Sequence, residues 1–163
     1  MKLTSCRKKL GKEATILLTI TKNWRKNMKI SKNFTFEEFE RSDIATRFNL
    51  DNRMTNAQRD AVKKLVTEVL QPARDLLGEI IHINSGYRCK ELNEKVGGAY
   101  NSQHLKGQAA DIGCFNNKVL LTILEAMDFD QLITYWEKSY IQFIHISYVS
   151  KQKNRNQIIH KKL

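Results

Sequence analysis

The chain has 163 residues, enough for one domain with a real core. Its 41% hydrophobic and 28% charged content, with one proline and seven glycines, is ordinary for a globular protein and excludes a low-complexity chain. The net charge of +11 is unevenly spread: residues 1–33 hold ten Lys/Arg and one Glu, residues 150–163 hold five Lys/Arg and no acid, and the body between them comes to about −3. A nucleic-acid-binding domain carries its positive charge on the folded body. Here the ends carry it, so no specific nucleic-acid partner is expected, although basic ends attract anionic surfaces without specificity.

Cys6, Cys89 and Cys114 are an odd, sparse set, which excludes a disulfide framework and reads as free thiols in a reducing compartment. No stretch reaches the roughly 18 apolar residues of a membrane span. The apolar run Ala14–Ile20 follows basic residues, but no small-residue cleavage site comes after it, so no signal peptide is expected. Leu3-Thr4-Ser5-Cys6 imitates a lipoprotein cleavage box with too little chain before it. Met28 reads as the natural beginning of the domain, which leaves 1–27 as a basic extension, 28–157 as the domain and 158–163 as a basic tail.

Thr35, followed by Glu38, makes a capping box for a short helix with Phe36 and Phe39 on one face. Residues 42–54 read as a polar connection. Thr55 to Leu77 reads as the longest helix, with Ala61, Val62, Leu65, Val66, Val69, Leu70 and Leu76 inward. Pro72 predicts a kink or break near Gln71, and Gly78 a C-terminal stop. Ile80–Asn84 is a β-branched strand and Ser85–Arg88 a turn. A short helix over 89–96 ends at Gly97-Gly98, and a loop leads to a strand over Gln108–Gly113. Asn116 caps a helix to Met127, with Val119, Leu120, Ile123, Leu124 and Met127 inward. Strands over Asp130–Tyr135 and Gln142–Val149 complete a small, mostly antiparallel sheet with flanking helices, an α+β fold.

Within Ser102-Gln103-His104-Leu105-Lys106-Gly107-Gln108-Ala109-Ala110-Asp111, a histidine at a loop end and an aspartate in the next strand stand seven apart. Gly107 allows the turn between them, and two alanines leave room for close packing. A catalytic zinc wants three such ligands and one open position. His145 is a third candidate: alternation in Phe143-Ile144-His145-Ile146-Ser147 sets Phe143, His145 and Ser147 on one face. A histidine in an apolar strand is equally read as a hydrogen-bonded core residue. Cys114, three after Asp111, is either an approach to the metal or a small buried hydrophobe. His82 and His160 have no comparable setting.

Ser102-x-His104-x-x-Gly107-x-Ala109-x-Asp111 resembles the signature of the zinc D-alanyl-D-alanine carboxypeptidase family, peptidase family M15, and most resembles its short phage-endolysin-like branch. Ile83–Arg88 resembles that family's S-G-Y-R element. Leu92-Asn93 with Val96–Ala99 resembles its L-N…V-G-G-A loop. Phe129–Ile133 resembles F-D-Q-L-I, and Ile144–Tyr148 resembles W-[IV]-H-[IV]-S, the whole similarity covering roughly Met28 to Gln157. The resemblance implies a D-Ala-D-Ala carboxypeptidase/hedgehog-like fold and one zinc ion held by His104, Asp111 and His145. It implies Arg88 against the substrate's carboxylate or carbonyl oxygen, with Ser102 and Gln103 beside the metal.

Such peptidases also need a carboxylate base. Many relatives place a glutamate two residues after D-Q-L-I, where this chain has Tyr135, and Phe143 stands where they have tryptophan. Glu137 is the only carboxylate between Asp130 and His145 and is nominated as base, with Tyr135 as the residue that takes part if Glu137 does not. The expected protein is a monomeric zinc metallopeptidase acting on peptidoglycan stem peptides, as carboxypeptidase or endopeptidase. The resemblance further implies an endolysin-like phage or prophage protein, made in the cytoplasm and acting on the cell wall after release. The departure at Tyr135 motivates the rival, a catalytically silent zinc or wall-peptide binding module on the same fold.

Overall fold

The computed structural model describes residues 28–163, so the readings made for 1–27, Cys6 included, lie outside the described residues. The helices are α1 (Phe36–Glu40), α2 (Asp43–Arg47), α3 (Asn56–Leu65), α4 (Gln71–Leu77), α5 (Lys90–Lys95) and α6 (Asn117–Glu125). The strands are β1 (His82–Ser85), β2 (Ala109–Gly113), β3 (Gln131–Glu137), β4 (Tyr140–Ser147) and β5 (Gln157–Lys162). They form one sheet in the order β1-β2-β4-β3-β5, antiparallel except for the β3/β5 pair. The fold is α+β, as the patterning predicts.

The sheet has two different faces because the side-chain period of a strand is two. One face carries Ile83, Ala110, Ile112, Leu132, Ile144 and Ile146, all buried against the helices. Val62, Leu65, Val66, Val69, Leu70 and Ala73 of the long helical segment are fully enclosed, as are Leu120 and Leu124 of α6. Each such valine or leucine is worth about 1.5–3 kcal/mol of burial. The other face presents Asp111, Ile133, Tyr135, Phe143 and His145 to a cavity.

Several expectations are corrected by the structure. The connection over 42–54 contains α2, whose amide Ala45 N donates to the Ser42 hydroxyl at 3.2 Å. The long helix does not break at Pro72. A wider π-helical turn over Val66–Leu70 precedes the proline, which has no N–H to offer the ladder. That turn rotates α4 about the helix axis, so Ala73 and Leu77 meet the core and Leu76 is 71% exposed. Val119 is also exposed, at the solvent edge of the first turn of α6. Residues 158–163 are no tail: Ile158, Ile159 and their neighbours hydrogen-bond alongside Leu132 and Ile133 as β5. Accordingly His160 is tied into the sheet, its Nδ1 lying 2.7 Å from the buried Thr134 hydroxyl.

Candidate metal centre

The centre is assembled from a turn, a loop and two paired strands. The turn after β1 is fixed by buried Asn52, whose amide donates to the carbonyls of Glu40 at 2.9 Å and Tyr87 at 3.0 Å. Its carbonyl accepts the Cys89 amide at 2.7 Å. Gly86 crosses so close to α1 that a Cβ there would lie 2.5 Å from Phe39 Cα. Its carbonyl meets His104 Nδ1 at 2.6 Å. His104 lies in a short 3-10 turn, Gln103–Lys106, where the Ser102 hydroxyl accepts the His104 amide at 3.4 Å. Gly107 ends that turn at φ +69°, with its α-carbon against the Gln58 carbonyl. The chain then enters β2, and register sets Asp111 beside His145 on β4.

Three donor atoms meet as a result. His104 Nε2 is 3.1 Å from His145 Nδ1 and 3.2 Å from Asp111 Oδ1, and His145 Nδ1 is 2.9 Å from the same oxygen. Two ligands about 2.05 Å from a tetrahedral zinc stand about 3.3 Å apart, so the three atoms already sit at nearly the spacing an ion requires. Donation from His104 Nδ1 to the Gly86 carbonyl leaves a lone pair on Nε2, facing the other two donors. The other oxygen of Asp111 accepts from Arg88 at 2.9 Å. Arg88 is itself held by the Ser85 hydroxyl at 3.1 Å and the Asn93 carbonyl at 3.3 Å. His104, Asp111 and His145 could hold a metal ion, and their donor chemistry fits it.

Burial alone would raise the Asp111 carboxyl, but hydrogen bonds and charge from His104 and His145 reverse this and hold it well below the usual carboxylate range. Burial pushes the His145 imidazole down, against the pull of Asp111. These directions favour the states a cation binds at the two groups, carboxylate for Asp111 and neutral imidazole for His145.

The centre opens on a cavity of about 570 Å³ that is lined, besides the three donors, by Arg88, Ser102, Gln103, Tyr135, Phe143, Arg155 and Lys161 among others. Gln103 turns its amide to Asp130 at 2.8 Å. Asp130 is buried and also accepts Arg155 through Nε at 3.0 Å and Nη2 at 2.6 Å. The Arg155 contact, offset in part by burial and aided by Gln103, lowers the Asp130 carboxyl. Tyr135 and Phe143 stack with ring centroids 4.3 Å apart.

Glu137 does not reach the donors. The strands step from Tyr135 to Trp136 on β3 while stepping from Phe143 to Ile141 on β4, a bulge that ends the regular ladder. Glu137 lies beyond it, four residues past the partner of His145 and so about 13 Å along the strand. Its carboxylate accepts from the Tyr140 hydroxyl at 2.8 Å and from the Gln142 amide, and it does not line the cavity. Cys114 also stands outside the donor cluster. Burial, with a hydrogen bond to Glu79, pushes its thiol up to about 11, and it packs as a small hydrophobe.

Tyr135, read from the sequence as the residue that takes part if Glu137 does not, lines the cavity; Arg155 and Lys161 line it too and were missed because they read only as charge of a basic chain end. Sequence reading also missed Asn52 and Asn93, buried amides whose roles depend on long-range partners.

Comparison with known proteins agrees with this geometry. Over 83 residues the chain is 36% identical to the zinc D-Ala-D-Ala carboxypeptidase of Streptomyces albus G, a stretch that is 50% of this chain and 31% of that relative. The chain therefore matches about a third of the relative's length. The family model described as Peptidase M15 matches residues 32–147, which contain all three donors and Arg88. This chain belongs to the peptidase M15 family.

Proposed function

We propose that the protein is a zinc-dependent peptidase acting on peptidoglycan stem peptides. The observation that supports this most is the convergence of His104 Nε2, Asp111 Oδ1 and His145 Nδ1 at the cavity floor, with Arg88 on the remaining Asp111 oxygen. When bound, zinc supplies Lewis acidity, polarising a carbonyl and lowering the pKa of water. The chain's residues do the rest. Gly86 and Arg88 orient His104 and Asp111, Ser102 shapes the loop over the donors, and the Tyr135–Phe143 stack walls one side against solvent. The Arg88 guanidinium serves here to position Asp111, with its remaining edge on the cavity.

A lysin-like protein cleaves inside the stem, whereas a trimming enzyme removes the terminal D-Ala. Mass spectrometry of peptidoglycan fragments after incubation with zinc-loaded protein separates the two: a loss of one D-Ala marks carboxypeptidase action, and released cross-linked or truncated stems mark endopeptidase action. In either case the site of action is the bacterial wall.

One observation favours a second reading, a zinc-holding module that binds stem peptides without cutting them. Among the described residues lining the cavity, Asp111 is the only carboxylate. Unchanged fragment masses together with retained binding of stem peptide would establish that reading and overturn the first.

A further inference from the structure

Among the described residues, four side chains of fixed charge line the cavity: Arg88, Asp111, Arg155 and Lys161. Arg88 and Asp111 neutralise each other at 2.9 Å. Arg155 is bound by Asp130, which is buried and not part of the lining. Lys161 makes no salt bridge among the described residues, and its ammonium stands 5.5 Å from the centre of the Tyr135 ring. Among the described residues, the cavity therefore holds one cation that no carboxylate balances, while the one acid in its lining is committed to the donor cluster. A concave surface of one sign gathers ligands of the other.

The register of the sheet says where that cation lies. Asp111, His145, Ile133 and Ile159 form one row across four strands. Phe143, Tyr135 and Lys161 form the next row on the same face. From His145 to Lys161 is two strand spacings and two residues, about 12 Å between α-carbons. The lysine stem spans part of this distance, and one extended peptide residue spans about 3.5 Å more. Between them lies the stacked Tyr135–Phe143 pair, an aromatic surface facing the cavity.

We infer that Lys161 is a specificity-determining residue: it receives a carboxylate carried by the substrate residue next past the bond at the donor cluster, while Arg155 on the same wall stays paired with Asp130. The inference rests on the proposed peptidase function and narrows its substrate to peptides with a carboxylate at that place. The carboxylate comes either from a free C-terminus or from an acidic side chain. Both cations lie beyond residues 32–147, so this selectivity belongs to a segment outside the family match.

The test is calorimetric binding to the zinc-loaded full chain. Three probes are compared: N-acetyl-D-Ala-D-Ala, its C-terminal amide, and N-acetyl-D-Ala-D-Glu with the α-carboxyl amidated. The free acid is expected to bind about tenfold more tightly than the amide. Lys161→Ala should abolish that preference with zinc content and amide affinity unchanged, and Lys161→Arg should retain most of it. A Lys161-dependent gain with the glutamate probe assigns the side-chain source, and none assigns the C-terminus. Equal binding of all three probes, or an undiminished preference in Lys161→Ala, overturns the inference and leaves the peptidase reading standing. Binding of no probe by the zinc-loaded chain sinks the peptidase reading, and this inference with it.

Discussion

The sheet carries two places where a carboxylate and its neighbours meet, Asp111 on β2 beside β4 and Glu137 at the end of β3, and the two differ in how the carboxylate is held. At the row through Asp111 and His145, two of the donors are held from behind: Asp111 by Arg88, and His104, in the adjoining turn, by the Gly86 carbonyl. The row is in regular register and buried. At the hairpin end, Glu137 lies past a bulge and shares its carboxylate with Tyr140 and Gln142, both exposed. A carboxylate becomes a usable ligand where the sheet fixes its direction and low dielectric sharpens its field. The same group at a hairpin tip is a solvated hydrogen-bond acceptor.

The largest test of this contrast removes a donor from the regular row. His104→Ala should leave the protein unable to retain stoichiometric zinc through dialysis, measured by elemental analysis beside the wild type. Full zinc content in the variant would break the assignment of the cluster. The next test moves a carboxylate from the poor place to the good one. Tyr135→Glu sets an acid in the cavity beside Lys161, whose charge keeps it ionised as a base must be. Stem-peptide hydrolysis should rise by about 10²- to 10⁴-fold, the usual worth of a positioned acid or base. An unchanged rate with zinc retained would show that no base is lacking.

What could be read in the sequence divides along the same line. The donor cluster was legible only in part from the residues: a loop, a glycine turn and a strand set His104 near Asp111, and alternation puts His145 on one face of its strand, but the set of three came from the family resemblance. The long helix and the α+β order came from periodicity. Three features were hidden, each for a physical reason. The π-helical turn shifted the buried face so that Leu77 replaced Leu76, which no 3.6-residue pattern anticipates. Glu137 sits four residues past the partner of His145, beyond the bulge opposite Trp136, a distance set by pairing register rather than by residue type. Strand β5 looked like a charged tail because its burial is slight: it is held by main-chain bonds to β3, with only Ile159 half-buried.

A smaller effect is expected behind the cavity wall. Asp130 ties Gln103 of the donor loop to Arg155 of the C-terminal segment. Asp130→Asn should cost about 1–2 kcal/mol in denaturant unfolding, as expected for losing a charge-assisted bond whose arginine partner is half in water. The direction with pH is set by its lowered carboxyl. The wild-type advantage is fully present above the unfolded carboxyl value of about 3.9 and is lost as pH falls through the lower folded value. The gap between the two proteins should therefore close in acid and stay constant from about pH 5 to 7.

The smallest effect is expected at Glu137, and a near-zero result there is informative. Glu137→Gln keeps the shape of the side chain and its ability to accept from Tyr140, while removing the charge. The group lies about 13 Å along β3 from the partner of His145 and outside the cavity, so neither zinc affinity nor turnover should change. Stability should shift by less than about 0.5 kcal/mol, as for a surface substitution. A variant that keeps its zinc but loses hydrolysis would mean that the hairpin folds over the cavity when substrate binds, carrying Glu137 to the reacting bond. In that case the two places would be parts of one site, brought together only in the complex.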